Sequence, residues 1–197
     1  NKDWKNSVLE VNKVIEEVKS WIKAGNTEDL LTDTFFDKVY SQNKLDAPYL
    51  DKENSSVHID SQVMSFNNVP PGIRFVPGDK MDYASFGFPI KGDVNLFQNR
   101  IRFLIKNNPL IFRVVNNVFY IKEFSERPLI NNESAIEAIK AAAKQKVHNV
   151  IQSLEELKGE VDSFNQGRLT HEIRALAKAE LEKRNQKDDT LEKLKLF

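Results

Sequence analysis

Trp4, Val8, Val11, Ile15, Val18 and Ile22 recur at spacings of three and four, which sets them on one face of an amphipathic helix. Gly25 supplies a stop just beyond it. Asn26 or Thr27 is placed to cap a second helix, with Glu28 and Asp29 in its first turn at the positive end of the helix dipole. Leu31, Phe35, Phe36, Val39 and Tyr40 give that helix an apolar face. Residues 41–56 are polar and read as a loop.

The middle of the chain reads as β-structure. Val57 to Phe66 predicts a strand without clean alternation, and Pro70-Pro71-Gly72 and Pro77-Gly78-Asp79 mark turns. Phe86, Phe88 and Ile90 alternate with Ser85, Gly87 and Pro89. This strand stops at Gly92-Asp93 and enters a short helix or loop at Val94-Asn95-Leu96-Phe97. Arg100 to Lys106 alternates again, with Arg100, Arg102 and Lys106 on one face, and predicts a charged edge strand. Leu110–Val115 and Val118–Glu123 flank Asn116-Asn117, a dipeptide suited to positive φ, and predict a hairpin. A two-residue turn sets Val114 beside Phe119 and Phe112 beside Ile121 on an apolar face. The opposite face carries Arg113 beside Tyr120 and Ile111 beside Lys122.

The last third is helical. Asn131 and Asn132 are candidate caps, and Ile136, Ile139, Ala143, Val147, Val150, Leu154, Leu157, Val161 and Phe164 form a long heptad stripe. Asn165-Gln166-Gly167 predicts a break, after which Leu169, Ile173, Leu176, Ala177 and Leu181 make a shorter stripe. The two stripes predict a helical hairpin, and Asn185 to Thr190 reads as a polar, frayed tail. Val147, Val150, Leu154 and Leu157 are the candidate seam of a homo-oligomer.

Composition narrows the chemistry. The 197 residues are 40% hydrophobic and 29% charged, as in an ordinary globular chain. Lys+Arg and Asp+Glu balance at 29 each, so no global charge draws the chain to nucleic acid or to an acidic membrane. The absence of cysteine excludes disulfides, thiol nucleophiles and thiolate metal sites, and fits a reduced, cytoplasmic setting. No apolar run approaches the roughly 18 residues of a membrane span, and no signal peptide precedes Trp4. The chain begins at Asn1 rather than Met, and a role carried on further residues is left open.

No catalytic set stands out. His171-Glu172 opens like a zinc-protease helix, but position 175 is Ala. His58 and Asp60 share a strand face, an arrangement that serves either a metal or acid–base site or an ordinary wet sheet face. Glu155, Glu156, Glu160 and Asp162 lack the Glu-x-x-His partners of a di-metal site. Gly-rich phosphate loops are absent, and no cofactor or metal is expected. Arg100, Arg102, Lys106, Arg113 and Tyr120 are the candidate nucleic-acid contacts, through phosphates and base stacking.

The order Phe88-Pro89, Gly92-Asp93, Leu96-Phe97, Arg100, Pro109, hairpin, long helix ending Glu160-Val161 and Phe164-Asn165, then Leu169, Ile173 and Arg184, resembles a family of little-characterised bacterial proteins. The resemblance covers residues 86–197. It implies an amino-terminal or central module, followed by a variable and often nuclease-like effector, in a phage-defence setting. It brings no catalytic residue. The chain departs from it in lacking a second proline before the hairpin, and in having Asn185 after Arg184 in place of a twin arginine.

The expected architecture is α+β: amino-terminal helices and an antiparallel sheet over residues 1–130, then a long helical hairpin over 131–197 on the same core. The expected function is a non-catalytic interaction, sensing or oligomerisation module of a larger bacterial protein. The alternative is a nucleic-acid-binding or nuclease-associated domain.

Overall fold

The apolar stripes and turn residues fold into helices and an antiparallel sheet. The computed structural model describes residues 10–67, 73–107 and 112–195. Trp4, Val8, Pro70-Pro71-Gly72 and Leu110-Ile111 lie outside the described residues. The elements run α1 (Val11–Ala24), α2 (Asp33–Asn43), β1 (Tyr49–Leu50), β2 (Ser56–Val63), β3 (Lys80–Lys91) and α3 (Val94–Asn107). They continue with β4 (Phe112–Val115), β5 (Val118–Ser125), α4 (Glu133–Ser163), a π-helical segment Phe164–Leu169 and α5 (Thr170–Lys193). The α+β class is as expected. The chain divides into two units, Asn1–Asp46 with Gly159–Phe197, and Ala47–Lys158, whereas the sequence pattern placed a boundary at 130/131.

In the first unit α1 buries Val11, Val14, Ile15, Val18 and Ile22. Its principal partner is α5, which buries Ile173 and Ala177. Gly25 ends α1, but with an extended backbone. Its glycine is required by packing, because a Cβ there would stand 2.6 Å from the Phe35 ring. The cap of α2 is Thr32, whose Oγ1 accepts the Phe35 N–H at 3.2 Å; Asn26 and Thr27 precede turns instead. Helix α2 extends into the segment read as loop.

Arg184 closes the carboxyl end of α1. Its guanidinium donates to the carbonyls of Gly25 at 2.8 Å, Lys23 at 2.9 Å and Ile22 at 3.4 Å, and Glu180 accepts from its Nε at 3.0 Å. The Lys23 carbonyl is one that a helix end leaves without an intrahelical partner, whereas that of Ile22 also accepts the Gly25 N–H at 3.2 Å. A cation there also meets the negative end of the dipole. Arg184→Ala is expected to cost about 2 kcal/mol, with Arg184→Lys intermediate because an ammonium cannot fork across three carbonyls. Denaturant midpoints check this; a shift no larger than that of Lys178→Ala would overturn it.

The predicted hairpin between α4 and α5 does not form. The chain passes through Asn165-Gln166-Gly167 without leaving helical geometry and stays helical to Lys193, including the stretch read as a frayed tail. Asn165 is turned inward. Its Oδ1 accepts the Leu45 N–H and its Nδ2 donates to the Leu45 carbonyl, both at 2.9 Å. A π segment, with i→i+5 in place of i→i+4 hydrogen bonds, is a bulge carried inside a continuing helix. Gly167 has open space where a Cβ would stand, so it neither breaks the helix nor is required by packing.

In the second unit β3 is the central strand. It pairs antiparallel with β2 and β1 along one edge and with β5 along the other, and β4 pairs with β5. The hairpin has the predicted register, with Phe112 opposite Ile121 and Val114 opposite Phe119. Asn116 and Asn117 take φ of 51° and 59°, which matches the right-handed strand twist. Gly92, at φ 79°, turns the chain out of β3, and a Cβ there would meet the Ala47 carbonyl at 2.5 Å. Asp93 then caps α3, its Oδ1 accepting the N–H groups of Asn95 at 2.8 Å and Leu96 at 3.2 Å.

The predicted edge strand over Arg100–Lys106 is therefore helix α3. Leu96, Phe97, Arg100 and Ile101 are its buried face. The Arg/Ile/Arg alternation is a short coincidence within a 3–4 spacing that starts at the Asp93 cap. The stripe of α4 is consumed inside the chain. Val147, Val150, Leu154 and Leu157 are all buried, which removes them as a seam between copies. Ala135 and Ile139 cluster with Ala84 and Leu129, with Phe86 packed alongside. Lys146 reaches the buried Glu123 at 2.7 Å. One sheet face of this unit, bearing Ala84, Phe86, Phe119, Ile121 and Glu123, thus meets α3 and α4. No helix among the described residues is long and apolar enough to cross a membrane.

Candidate functional site

The other face of the sheet follows from the period-2 alternation of the same strands. The register lines up three rows across it. Ser56, Gly87, Tyr120 and Arg113 make the first; His58, Ser85 and Lys122 the second; Asp60, Tyr83 and Phe124 the third. Apart from the buried Gly87, all of these residues are exposed or half-buried. Gly87 is needed here, because a Cβ would stand 2.7 Å from the Tyr120 ring. The ring lies over the glycine and covers bare backbone, as aromatics do beside strand glycines.

Two cations lie over the aromatic rings. The Arg113 guanidinium is 5.4 Å from the Tyr120 centroid. The Lys122 ammonium is 3.7 Å from the Tyr83 centroid and 5.4 Å from that of Phe124, and it donates to Gln62 Oε1 at 3.1 Å. Burial, and then the charge of Arg113, push the Lys122 amine below the ordinary lysine range, with Asp60 opposing. Asp60 is held below the usual carboxylate range by the Ser61 N–H and, after that, by the Tyr83 hydroxyl, which donates to it at 3.3 Å. Burial, followed by the Asp60 charge, raises the Tyr83 phenol. His58, Tyr83, Ser85, Arg113, Tyr120 and Lys122 line a shallow cavity of about 290 Å³.

Of the five candidate nucleic-acid contacts, the fold brings two together: Arg113 and Tyr120 are cross-strand neighbours. Arg100 is buried on α3, where it donates to Ser153 Oγ at 2.7 Å and pairs with Glu156 at 2.6 Å, so its charge serves the α3–α4 contact. Arg102 is exposed on α3, away from the sheet rows, and the side chain of Lys106 lies outside the described residues. The residues missed by the spacing argument are Tyr83, Lys122 and Phe124. The signal for Lys122 and Phe124 was the alternation Tyr120-x-Lys122-x-Phe124, which continues the polar face of the hairpin; Tyr83 had none, because it comes from β3.

His58 and Asp60 do share a face, on the exposed edge strand β2. Among the described residues no group of three or more His, Asp or Glu is placed to hold a metal ion. Comparison with protein-family models, curated proteins and solved structures gave no match to the chain.

Proposed function

We propose that this chain is a non-catalytic interaction module whose exposed sheet face is its binding surface. The observation that carries this reading is the juxtaposition of Arg113 and Lys122 with the rings of Tyr120, Tyr83 and Phe124 on one face of an antiparallel sheet. The Arg113 charge, which adds to burial in lowering the Lys122 amine, would be offset by an anion lodged between the two cations. An anion beside aromatic rings is the chemistry of single-stranded nucleic acid, in which phosphates meet cations and bases stack on rings. The nucleic-acid alternative therefore gains from the sheet face what it loses at Arg100. The resemblance adds a setting to the proposal: a module of a larger cytoplasmic bacterial protein, working beside an effector in defence. Self-association through α4 is not part of it.

The test is anisotropy of labelled single-stranded oligonucleotides, with a duplex as control. Single strands are expected to bind, with log K falling linearly in log salt between about 50 and 200 mM. Arg113→Glu with Lys122→Glu should abolish binding. Tyr120→Leu, which keeps Gly87 covered, should weaken it by about 1–3 kcal/mol, the usual worth of one stacked base. Absence of single-strand binding at low salt, or affinity indifferent to these substitutions, would refute the ligand class.

A further inference from the structure

The helix-bearing face of the sheet is only partly covered. Val57 and Ile59 on β2 are 61% and 53% exposed, although the register sets them beside Phe86 and Ala84 on that face. Phe86 and Phe88 are themselves half-buried. Phe86 and Phe88 with Ala143, Val147 and Ile151 of α4 line an apolar groove of about 420 Å³, and Val57, paired with Phe86, lies next to it on β2. The polar residues on its rim are Lys52, Lys140, Lys144 and His148, and no carboxylate is among them. Lys140 pairs with Glu137 at 2.6 Å and the charge of Lys144 also acts on that carboxylate, while Lys52 forms no ion pair among the described residues.

We infer that this groove docks an amphipathic helix of a partner protein, apolar on one face and acidic along its flanks. The bare strip is β2 and the adjoining half of β3, one and a half strand widths or about 7 Å. An α-helix with its side chains is about 10–12 Å across, so one helix laid beside α4 covers the strip and leaves no room for a second. A strand added to the β2 edge would extend the sheet sideways and leave the half-buried Phe86, Phe88 and Ile151 as they are. The lysine rim selects the charge of the occupant, because acidic flanks meet Lys52 and Lys144 where basic ones would be repelled. Helix-in-groove binding of this kind is read by apolar anchors at helical spacing.

The experiment is selection from a displayed library of about 16-residue peptides, with apolar anchors fixed at helical spacing and flanks randomised. The full chain is the bait. Enriched peptides should carry Asp or Glu on their flanks, and a synthetic copy should gain helical circular dichroism on binding. Lys140→Glu with Lys144→Glu, and separately Val57→Ser with Ile59→Ser, should each weaken that copy at least about tenfold, one decade of affinity. All four positions are exposed, and unchanged denaturation midpoints confirm the fold. Basic enriched flanks, binding without helix gain, indifference to both double substitutions, or failure to enrich any peptide would overturn the inference. So would a dimer of the chain that the same substitutions dissociate, since a second copy would then be the occupant. Tyr120→Leu, on the opposite face, should leave peptide affinity unchanged, which separates this result from that of the nucleic-acid test.

Discussion

Phe119→Ala should lower the stability of the 47–158 unit by about 3–5 kcal/mol, the range for removing a buried aromatic. Phe119 is fully buried on β5, between the rings of Phe97 at 5.4 Å and Phe112 at 5.7 Å. It therefore links the hairpin to α3, and its loss removes both ring contacts and leaves a void where the two elements meet. Phe119→Leu should recover more than half of the loss. Lys122→Ala, three residues along on the other face, should cost no more than about 1 kcal/mol, the worth of a partly exposed cation–π contact. Equal small shifts in denaturation midpoint for the two alanine variants would contradict the register.

Asn165→Ala is expected to cost about 2–3 kcal/mol, which is large for one amide. Asn165 is buried and satisfies both backbone groups of Leu45. Removing it loses two hydrogen bonds and leaves a donor and an acceptor in a part-buried place, where each unmet group costs about 1–3 kcal/mol less whatever water recovers. Asn165→Asp keeps the acceptor for the Leu45 N–H but sets a carboxylate oxygen against the Leu45 carbonyl, so it should be at least as harmful. Leu45 amide exchange is the specific reading: it should accelerate in Asn165→Ala while amides within β5 stay protected. Unchanged Leu45 exchange would sink the idea that Asn165 anchors this segment.

The hairpin was legible in sequence because its determinants are local. Asn116-Asn117 accepts positive φ, and the two-residue turn it makes sets the register that puts Phe112, Val114, Phe119 and Ile121 on one face. The stripes of α1 and α4 were legible for the same reason. Arg100 to Lys106 was misread because seven residues cannot separate a period of 2 from one of 3.6, and the arbiter lay further back, in the cap at Asp93. The break at 165–167 was misread because Asn and Gly stop a helix only when nothing distant rewards its continuation; here Leu45, 120 residues away in sequence, does. Two of the five candidate contacts, Arg113 and Tyr120, were placed together correctly because they belong to one hairpin.

The sequence by itself determined the α+β class, the hairpin register, the Gly92-Asp93 turn and the apolar faces of the long helices, since each follows from spacing within about a dozen residues. Only the tertiary structure decided that Arg100 is a buried partner of Glu156, that the α4 stripe is spent within the chain, and that α1 meets α5. It also decided that His58, Tyr83 and Lys122 share one face, because β2, β3 and β5 are neighbours in the sheet and far apart in sequence. Pairings between distant strands are fixed by the burial of the whole sheet face, and no local pattern encodes which strand will lie beside which.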